Sequence, residues 1–392
     1  MYDIHTTLGN EDSQNPTIEK RLKEEAQGLL EEFRRNHIEH QEAQDNLSKV
    51  LTSRIAEKKY RDNSRYEGEI KVNGKRDGKG IMWFKNGHLY FGDWKDDMFD
   101  GQGTYVFDNG ERFEGVLKKN KKSGKGVYYY ANGNVYQGLW DNDEKQGHGT
   151  IRMANGDSYT GSWMNSKYDG YGVLIYNYGE EYRGNFKNGM RTGYGVLQYW
   201  NGSLYEGEWL NDKADGIGKM RYINGDLYEG EFQNGKKNGK GKYQFTDGSV
   251  YVGNWKDDEK NGVGIMNYNN GDLYQGEWVM GVRSGRGVYE AKTKHVYKGE
   301  WKNDVFHGIG LLTFADGSYY NGEWYEGQKT GVGKYVFGNG ERYEGRWFAD
   351  KRHGKGRYVW KTKDVFNGEF QDDEVIHGDI TKADGSRFIV DK

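Results

Sequence analysis

A unit of 23 residues repeats along most of this chain and constrains its fold more than any other feature. The aromatic residue that opens each unit recurs after a first interval of 24 residues and then at intervals of 23. A fixed period of this length indicates one supersecondary unit stacked on its own copies, each burying its apolar face on its neighbours. The openers are Tyr66, Tyr90, Phe113, Tyr136, Tyr159, Tyr182, Tyr205, Tyr228, Tyr251, Tyr274, Tyr297, Tyr320, Tyr343 and Phe366.

Each unit contains two segments in which apolar and polar residues alternate, and a polar stretch separates them. Period-two alternation is typical of a β-strand, so each unit is predicted to be a hairpin, with residues 141–146 as a polar loop in one of them. Nine of the 12 tryptophans fall in one column of the repeat. In two representative units the residues that define the repeat are Tyr136, Gly138, Trp140, Gly147 and Gly149, and Tyr205, Gly207, Trp209, Gly216 and Gly218.

The turns between units decide which side chains share a face. A three-residue loop at 131–133, with Gly133 left-handed and forming a bulge, places Tyr128 opposite Tyr136 on one face. A two-residue turn would put these two rings on opposite faces. We choose the three-residue loop because it gives one apolar and one polar face and aligns the glycines in a continuous row.

The predicted fold class is therefore an all-β repeat array, an elongated, twisted single-layer antiparallel sheet over residues 66–392. About fourteen hairpins supply 28 strands, which would extend the sheet to about 130 Å at roughly 4.8 Å per strand. The last unit, from Phe366, is irregular, with Gly378 one place late and Gly385 one place early. We expect it to be a C-terminal cap, as stacked repeats require.

The residues before the array have a different pattern. Residues 1–14 are polar and are predicted to be disordered. A long helix is predicted over 15–60, with Asn15 as its N-cap and Pro16 in its first turn. Its narrow apolar stripe allows two alternatives. The helix docks back on the first repeat, or it forms a coiled coil or binds a partner.

Composition favours no catalytic, metal or cofactor chemistry. The chain has no cysteine, which excludes disulfides and thiolate metal sites, and its nine histidines are scattered. Its formal charge of −3 creates no field that attracts nucleic acid. The glycine pairs lie within predicted strands, no helix N-terminus follows them, and no lysine followed by serine or threonine completes a phosphate-binding loop. We therefore expect no enzyme activity, no metal, no cofactor and no nucleic-acid partner.

The segment Tyr205-Glu-Gly-Glu-Trp209, followed by Gly216-Ile-Gly218 and Asn224-Gly225, resembles a MORN repeat. The resemblance extends from residue 66 to about 385. It implies a non-enzymatic interaction scaffold, with relatives in radial-spoke heads, other axonemal and cytoskeletal assemblies, junctophilins and plant phosphatidylinositol phosphate kinases. We expect a cytoplasmic, cytoskeletal protein of the ciliary or flagellar axoneme, in a radial spoke, with other axonemal proteins as partners.

Two surfaces are predicted to bind partners. The first is formed by lysine-rich loops, which are solvated loop tips or sites for an acidic protein or anionic phospholipid. The lipid alternative would make the chain a peripheral membrane adaptor, and a further alternative is a regulatory array for an enzyme on another chain. The second surface consists of exposed aromatic columns, which would hold a partner helix or a second copy of the array as a homodimer. The lysines are Lys118, Lys119, Lys121, Lys122, Lys236, Lys237, Lys292, Lys294, Lys361 and Lys363. Four of these lysines lie in two loops, 292–294 and 361–363, that lack the expected turn glycine. Its loss should rebuild the turn and project the lysines from the edge of the array.

Overall fold

The computed structural model describes residues 53–391 and, N-terminal to them, the single helical position Gly28. Residues 53–391 form strands and turns and contain no helix. The chain divides into two compact units, Met1–Trp200 and Asn201–Lys392. Within each unit every strand pairs antiparallel with the next one along the chain. The predicted all-β antiparallel fold is confirmed.

The first unit contains thirteen strands. They are β1 (Ser53–Lys59), β2 (Arg65–Lys71), β3 (Arg76–Trp83), β4 (Leu89–Lys95), β5 (Met98–Val106), β6 (Arg112–Lys118), β7 (Lys121–Tyr129), β8 (Val135–Asp141), β9 (Glu144–Arg152), β10 (Ser158–Met164), β11 (Lys167–Ile175), β12 (Glu181–Lys187) and β13 (Met190–Gln198).

The second unit continues with seventeen strands. They are β14 (Leu204–Leu210), β15 (Lys213–Arg221), β16 (Leu227–Gln233), β17 (Lys236–Gln244), β18 (Val250–Lys256), β19 (Glu259–Asn267), β20 (Leu273–Val279), β21 (Val282–Glu290), β22 (Val296–Lys302), β23 (Val305–Thr313), β24 (Tyr319–Tyr325), β25 (Gln328–Val336), β26 (Arg342–Phe348), β27 (Lys351–Val359), β28 (Val365–Gln371), β29 (Glu374–Thr381) and β30 (Arg387–Asp391).

The predicted N-terminal helix over 15–60 is wrong at its C-terminal end. Ser53–Lys59 is strand β1, which pairs with β2 and sets Ile55 opposite Glu69. Pairing with β1 satisfies the backbone groups that β2 would otherwise leave open at the edge of the sheet. The remainder of that helix and the predicted disorder of 1–14 lie outside the described residues, apart from Gly28.

The turn between repeats has the predicted geometry. The Tyr130 N–H donates to the Asn134 carbonyl at 2.9 Å, and Gly133 is left-handed with a φ of 84°. Tyr128 lies opposite Tyr136, as the three-residue loop requires. The register predicted from the sequence is confirmed, and it defines an inner face, which carries the opening aromatics, and an outer face.

The connection inside a repeat is shorter than predicted. The strands run through most of the polar stretch 141–146, and only Asn142 and Asp143 form a turn, with φ values of 50° and 72°. Two consecutive positive φ values define a type I′ turn, whose twist matches that of the strands and which suits Asn, Asp and Gly. The predicted loop is wrong because these residues tolerate a tight turn.

The two loops without a turn glycine keep the standard turn. Lys294 and Lys363 take the place of the glycine and adopt left-handed φ values of 69° and 71°. The Lys294 N–H still donates to the Ala291 carbonyl at 2.7 Å, the same bond that Gly133 makes. The predicted rebuilding of these turns is wrong, since the hydrogen bonds of the bulge hold the lysine in a conformation that glycine adopts more easily.

The irregular last repeat, which begins at Phe366, differs from the other repeats by one missing residue. Gly378 pairs with Gly368, as Gly149 pairs with Gly138, and β29 has 8 residues where β9 has 9. Gly378 therefore occupies the second glycine position one residue early, and reading it as a late first glycine is wrong. The same deletion explains the early position of Gly385.

The rings of the inner face lie directly on the glycine pairs. A Cβ atom added to Gly138 or to Gly149 would lie 2.4 Å from the hydroxyl oxygen of Tyr136. That hydroxyl donates to the Leu139 carbonyl at 3.0 Å, which holds the ring over the row. Glycine is thus required here by close approach of a ring rather than by backbone conformation.

Tryptophans connect each repeat to the next. The Tyr136 ring lies edge-on to Trp140 in its own repeat at 5.1 Å and to Trp163 in the next at 5.0 Å. The Trp163 indole N–H donates to the Gly149 carbonyl at 3.0 Å. Edge-to-face packing of this kind stabilises beyond the area that it buries, so neighbouring repeats share one continuous core.

A ladder of hydrogen bonds runs along the edge that carries the three-residue loops. In the first unit, the N–H of Ala154 donates to Asn134 Oδ1 at 3.0 Å, 20 residues earlier. In the second unit, the N–H of Thr246 donates to Asp226 Oδ1 at 2.8 Å in the same way. Most of these loops therefore use a side chain next to the preceding loop to satisfy their first backbone donor.

Candidate partner-binding surfaces

The two main aromatic columns are buried. Opening aromatics expose 0–1% of their surface and the column tryptophans 2–7%. The prediction that these columns form an exposed binding surface is therefore wrong. Their rings pack on the glycine row beneath them and on one another, and a further column of side chains covers them from above.

This further column, which we call the capping column, is the second residue after the turn inside each repeat. Arg283 places its guanidinium carbon 4.3 Å from the centre of the Trp301 ring. Where the column is aromatic it stacks, as Tyr168 does on Tyr159 at 3.8 Å. Cation–π contacts and ring stacking thus both cover the buried rings of the opening aromatics and tryptophans. Its ring-contacting members are Arg76, Phe99, Lys122, Lys145, Tyr168, Arg191, Lys237, Lys260, Arg283, Phe306, Lys329 and Arg352.

An aspartate from the following repeat neutralises most of these cations. Arg352 Nε lies 2.9 Å from Asp373 Oδ1, and the same carboxylate accepts the Arg352 backbone N–H at 3.0 Å. Although burial tends to raise it, the pKa of Asp373 is lowered overall, because the backbone N–H and the guanidinium of Arg352 stabilise the carboxylate. The aspartate therefore binds both the backbone and the charge of the capping residue.

Two of the predicted partner-binding lysines belong to the capping column. Lys122 and Lys237 expose 20% and 12% of their side chains and lie 5.0 Å and 4.8 Å from the rings of Trp140 and Trp255. Burial lowers the pKa of both amines. These two lysines support the core from above and are not loop tips.

The other predicted lysines are exposed but are not brought together. Lys118, Lys119 and Lys121 surround a two-residue turn of the first unit. Within the second unit, Lys236 lies beside a two-residue turn and is 3.4 Å from Asp257. In that same unit, Lys292, Lys294, Lys361 and Lys363 lie in three-residue loops, at the opposite edge of the sheet. The structure gives no continuous basic surface within the described part of either unit.

The accessible part of the inner face is a second series of rings, which the sequence analysis missed. We call it the aromatic ribbon. Successive ring centres are 4.5–6.0 Å apart in the first unit and 4.6–6.0 Å apart in the second. All but one of the rings are half-buried, the exception being the more deeply buried Tyr128. The aromatic residue directly before most of the three-residue loops was the signal that could have revealed it. The ribbon consists of Phe84, Tyr105, Phe107, Tyr128 and Tyr130, and of Phe314, Tyr335, Phe337, Tyr358 and Trp360.

Hydrogen bonds to neighbouring loops fix two tyrosines of the ribbon. Tyr128 donates to Glu111 Oε2 at 2.7 Å and Tyr358 donates to Glu341 Oε2 at 2.6 Å. Burial, with the carboxylate beside it, raises the pKa of Tyr358 to about 12. The phenols therefore remain neutral donors, and a partner would meet rings that are already ordered.

On the outer face, a column of carboxylates serves the backbone. Glu231 Oε1 accepts the Lys240 N–H at 3.1 Å across Gly239, whose φ is 93°. Glu277 and Glu323 make the same bond to the first residue after the equivalent glycine. These glutamates stabilise the bulge inside each hairpin, so their charge is already used within the repeat.

Apolar side chains on the outer face vary from repeat to repeat. Tyr171 and Ile217 each expose 61% of their surface, in the same column where Lys125 stands two repeats before Tyr171. At the start of the first unit, Ile81 and Leu89 are instead buried against Trp83, Phe91 and Val106. This face has no apolar column common to all repeats.

No group of three or more His, Cys, Asp or Glu side chains gathers to hold a metal ion in residues 53–391 or at Gly28. Over the same residues, no helix is long and apolar enough to cross a membrane.

The sequence of the hairpins decides the family. The MORN-repeat model matches thirteen consecutive segments between residues 66 and 365. The chain belongs to the MORN-repeat family. The matched segments are 66–89, 90–112, 113–135, 136–158, 159–177, 182–204, 205–227, 228–250, 251–273, 274–294, 297–319, 320–342 and 343–365. The array of hairpins continues past the last matched MORN repeat, because β28 and β29 form the fourteenth. MORN arrays are repeat-based scaffolds for protein interaction.

Similarity to other proteins beyond the repeat is low. No curated protein matches this chain in sequence. Among solved structures, the TCP10 domain of Danio rerio CPAP is 11% identical, with 57% of this chain and 94% of that chain covered and a TM-score of 0.27. The TCP10c domain of Drosophila melanogaster Sas-4 is 14% identical, with 39% of this chain and 93% of that chain covered and a TM-score of 0.25. Virginiamycin B lyase from Staphylococcus aureus is 12% identical, with 72% of this chain and 87% of that chain covered and a TM-score of 0.13. At these TM-scores the likenesses carry no inference about this MORN array.

Proposed function

We propose that this MORN array is a non-enzymatic scaffold that holds other proteins within a cytoskeletal assembly, the ciliary or flagellar axoneme, as part of a radial spoke. The observation that supports a scaffold best is the aromatic ribbon. It presents half-buried, ordered rings over consecutive repeats, and rigid rings lose little conformational entropy when a partner covers them.

The spacing of the ribbon suits an amphipathic helix. Two strands per repeat place equivalent rings roughly 9.6 Å apart along the sheet. Seven residues of an α-helix advance by about 10.5 Å, so one apolar side chain every two turns would meet successive repeats. A helix with apolar residues at i, i+3 or i+4, and i+7 would lie along the ribbon.

Cytoskeletal placement is supported by the resemblance to axonemal MORN proteins and by the distribution of lysines. A membrane adaptor would need a basic surface, whereas Lys122 and Lys237 are used inside the fold and the exposed lysines of the second unit lie at two opposite edges.

Extraction of cells that express the tagged protein tests this proposal. The wild-type chain should remain in a detergent-insoluble, salt-resistant axonemal pellet. Replacing Phe107 and Tyr130 of the ribbon by Ser should release it, while Tyr171→Ser on the outer face should not. Near-ultraviolet circular dichroism would establish that the variants fold.

Two results would contradict the proposal in different ways. Release of the wild-type protein by detergent alone would exclude the axonemal placement and favour a lipid-bound adaptor. Retention of the folded ribbon variant would exclude the ribbon as the surface that holds partners.

A further inference from the structure

The cations of the capping column and their aspartates follow a rule that extends over most repeats. The carboxylate comes from the second residue of the next two-residue turn, 21 residues later in the chain. It binds the charged group and accepts the backbone N–H of the same residue in all six pairs given below. The pairs are Arg76 with Asp97 at 3.0 Å, Lys122 with Asp143 at 3.8 Å, Lys237 with Asp258 at 4.0 Å, Arg283 with Asp304 at 2.9 Å, Lys329 with Asp350 at 3.6 Å and Arg352 with Asp373 at 2.9 Å.

Lys145 departs from this rule. Ser166 stands where the aspartate is expected, and its hydroxyl accepts the Lys145 backbone N–H at 3.0 Å. The serine thus replaces the backbone acceptor but supplies no negative charge. Over residues 53–391, no carboxylate forms an ion pair with the Lys145 amine. Lys260 also lacks its aspartate, since Gly281 is in that position. Burial lowers the pKa of Lys260, but the nearby carboxylates of Asp304 and Glu259 act against this and favour its charge.

The surroundings of the Lys145 amine are aromatic. Its Nζ lies 5.3 Å from the ring centre of Tyr130, 5.1 Å from that of Tyr136 and 4.8 Å from that of Trp163. Burial, together with the like charge of Lys122, lowers the pKa of Lys145 to about 8. Cation–π contacts offset part of the cost of removing the amine from water, but they do not replace a counter-ion.

The position of this cation connects it to the aromatic ribbon. Tyr130, whose ring faces the amine, is the last ring of the ribbon in the first unit. A segment that lies on the ribbon would therefore bring its own side chains to Lys145. A carboxylate there would supply the missing charge, whereas a cation would add repulsion to a group that is already unpaired.

We propose that Lys145 is a recognition site for an aspartate or glutamate of the partner, so that the ribbon selects an acidic amphipathic segment. This inference rests on the proposed function of the ribbon and adds the charge of its partner. Selection arises from charge complementarity, because the repeats on both sides of Lys145 offer rings whose capping positions are already neutralised or uncharged, at Lys122 and at Tyr168.

Ser166 provides a matched pair of variants for a test. Ser166→Asp installs the internal counter-ion that the other repeats have. Ser166→Asn keeps a neutral backbone acceptor, as Asn120 does for the Phe99 N–H at 2.7 Å. Random peptides displayed on phage would be selected on the full-length wild type and on both variants, with folding checked by circular dichroism.

The wild type and Ser166→Asn should enrich peptides that combine apolar residues at helical spacing with an acid at one fixed position. Ser166→Asp should enrich the apolar pattern without the acid. For a selected peptide, replacing its acid by the corresponding amide should weaken binding to the wild type roughly tenfold, and to Ser166→Asp by roughly twofold or less. Binding of the acidic peptide should also raise the pKa of Lys145, measured by NMR.

Three outcomes would overturn the inference. Equal enrichment of acids on the wild type and on Ser166→Asp would place recognition elsewhere on the array. Apolar peptides without acids on the wild type would leave the ribbon as a binding surface but remove Lys145 from recognition. Failure to enrich any peptide on all three proteins would reject the ribbon itself, and so the proposed function together with this inference.

Discussion

The inner and outer faces of the sheet are built from the same strands but differ in how freely their residues change. On the inner face, Tyr136 and Tyr251 occupy the same position in two different repeats, and both are fully buried. On the outer face, their neighbours Gln137 and Val252 differ in polarity. The inner residues contact one another across repeats, so a change in one affects several partners. The difference teaches that the fold is specified by one face and that the other can diversify.

The largest expected effect is unfolding at high pH, caused by ionisation of the buried tyrosines of the inner face. Burial raises the pKa of the opening tyrosines, among them Tyr136 and Tyr251, above the ordinary value of 10.0. A raised pKa in the folded state means that their contribution to stability is complete below pH 10 and is lost as the pH rises above it. The array should therefore unfold cooperatively in alkali. Tyrosinate absorbance and far-ultraviolet circular dichroism should change together. Ionisation of the column without loss of strand signal would contradict its burial.

A substitution to valine at adjacent positions should distinguish the faces next. Gly138→Val would place a branched side chain against the Tyr136 ring, where even a Cβ comes within 2.4 Å, and should cost about 3 kcal/mol, the upper end of overpacking. Gln137→Val, on the outer face of the same strand, should change the free energy of unfolding by less than about 0.5 kcal/mol. Denaturant unfolding measures both. Equal costs would mean that the ring does not rest on the glycine row.

Two glutamates on one strand test whether the outer face also supports the fold. Glu231→Ala removes the acceptor of the Lys240 N–H and should cost about 1 kcal/mol. Glu229→Ala removes only an exposed ion pair with Lys219 and should cost roughly 0–0.5 kcal/mol. Thermal melts of the two variants provide the measurement, and a larger loss for Glu229→Ala would refute the role assigned to the glutamate column.

The smallest expected effect is a stabilisation. Lys294→Gly relieves the left-handed φ of 69° and should raise the free energy of unfolding by about 0.5 kcal/mol, after the greater freedom of glycine in the unfolded chain is subtracted. Lys292→Gly in the same loop relieves nothing and should lower stability by about 0.5 kcal/mol. Urea unfolding measures both changes in the free energy of unfolding. A gain for Lys294→Gly with a loss for Lys292→Gly would support this prediction, and a loss for both variants would reject it.

Much of the inner face was predictable, because its period of 23 and its turn chemistry leave one register that keeps all rings together. The glycine row and the left-handed Gly133 followed from that register alone. The capping column did not, because Lys122 and Lys237 look in sequence like members of solvated basic loops. Their positions depend on a two-residue turn, and this turn was mistaken for a longer loop.

The burial of the rings was also beyond the sequence pattern. Alternation shows which residues share a face but not whether neighbouring side chains close over it, and the cover comes from long side chains such as Arg283 and Lys329. The aromatic ribbon was missed for a related reason. Its chain of ring contacts appears only when consecutive repeats are placed side by side.

The ladder of hydrogen bonds along the loop edge has a consequence for how such a gene can change. The bond from Ala154 to Asn134 joins residues 20 positions apart, and the bond from Thr246 to Asp226 has the same spacing, so a donor in one copy finds its acceptor in the copy that precedes it. Duplication or deletion of one 23-residue segment between copies that carry this bond would leave the remaining donors with acceptors. Unequal recombination between copies can therefore lengthen or shorten the protein in whole units, and the inherited product would fold without further mutation.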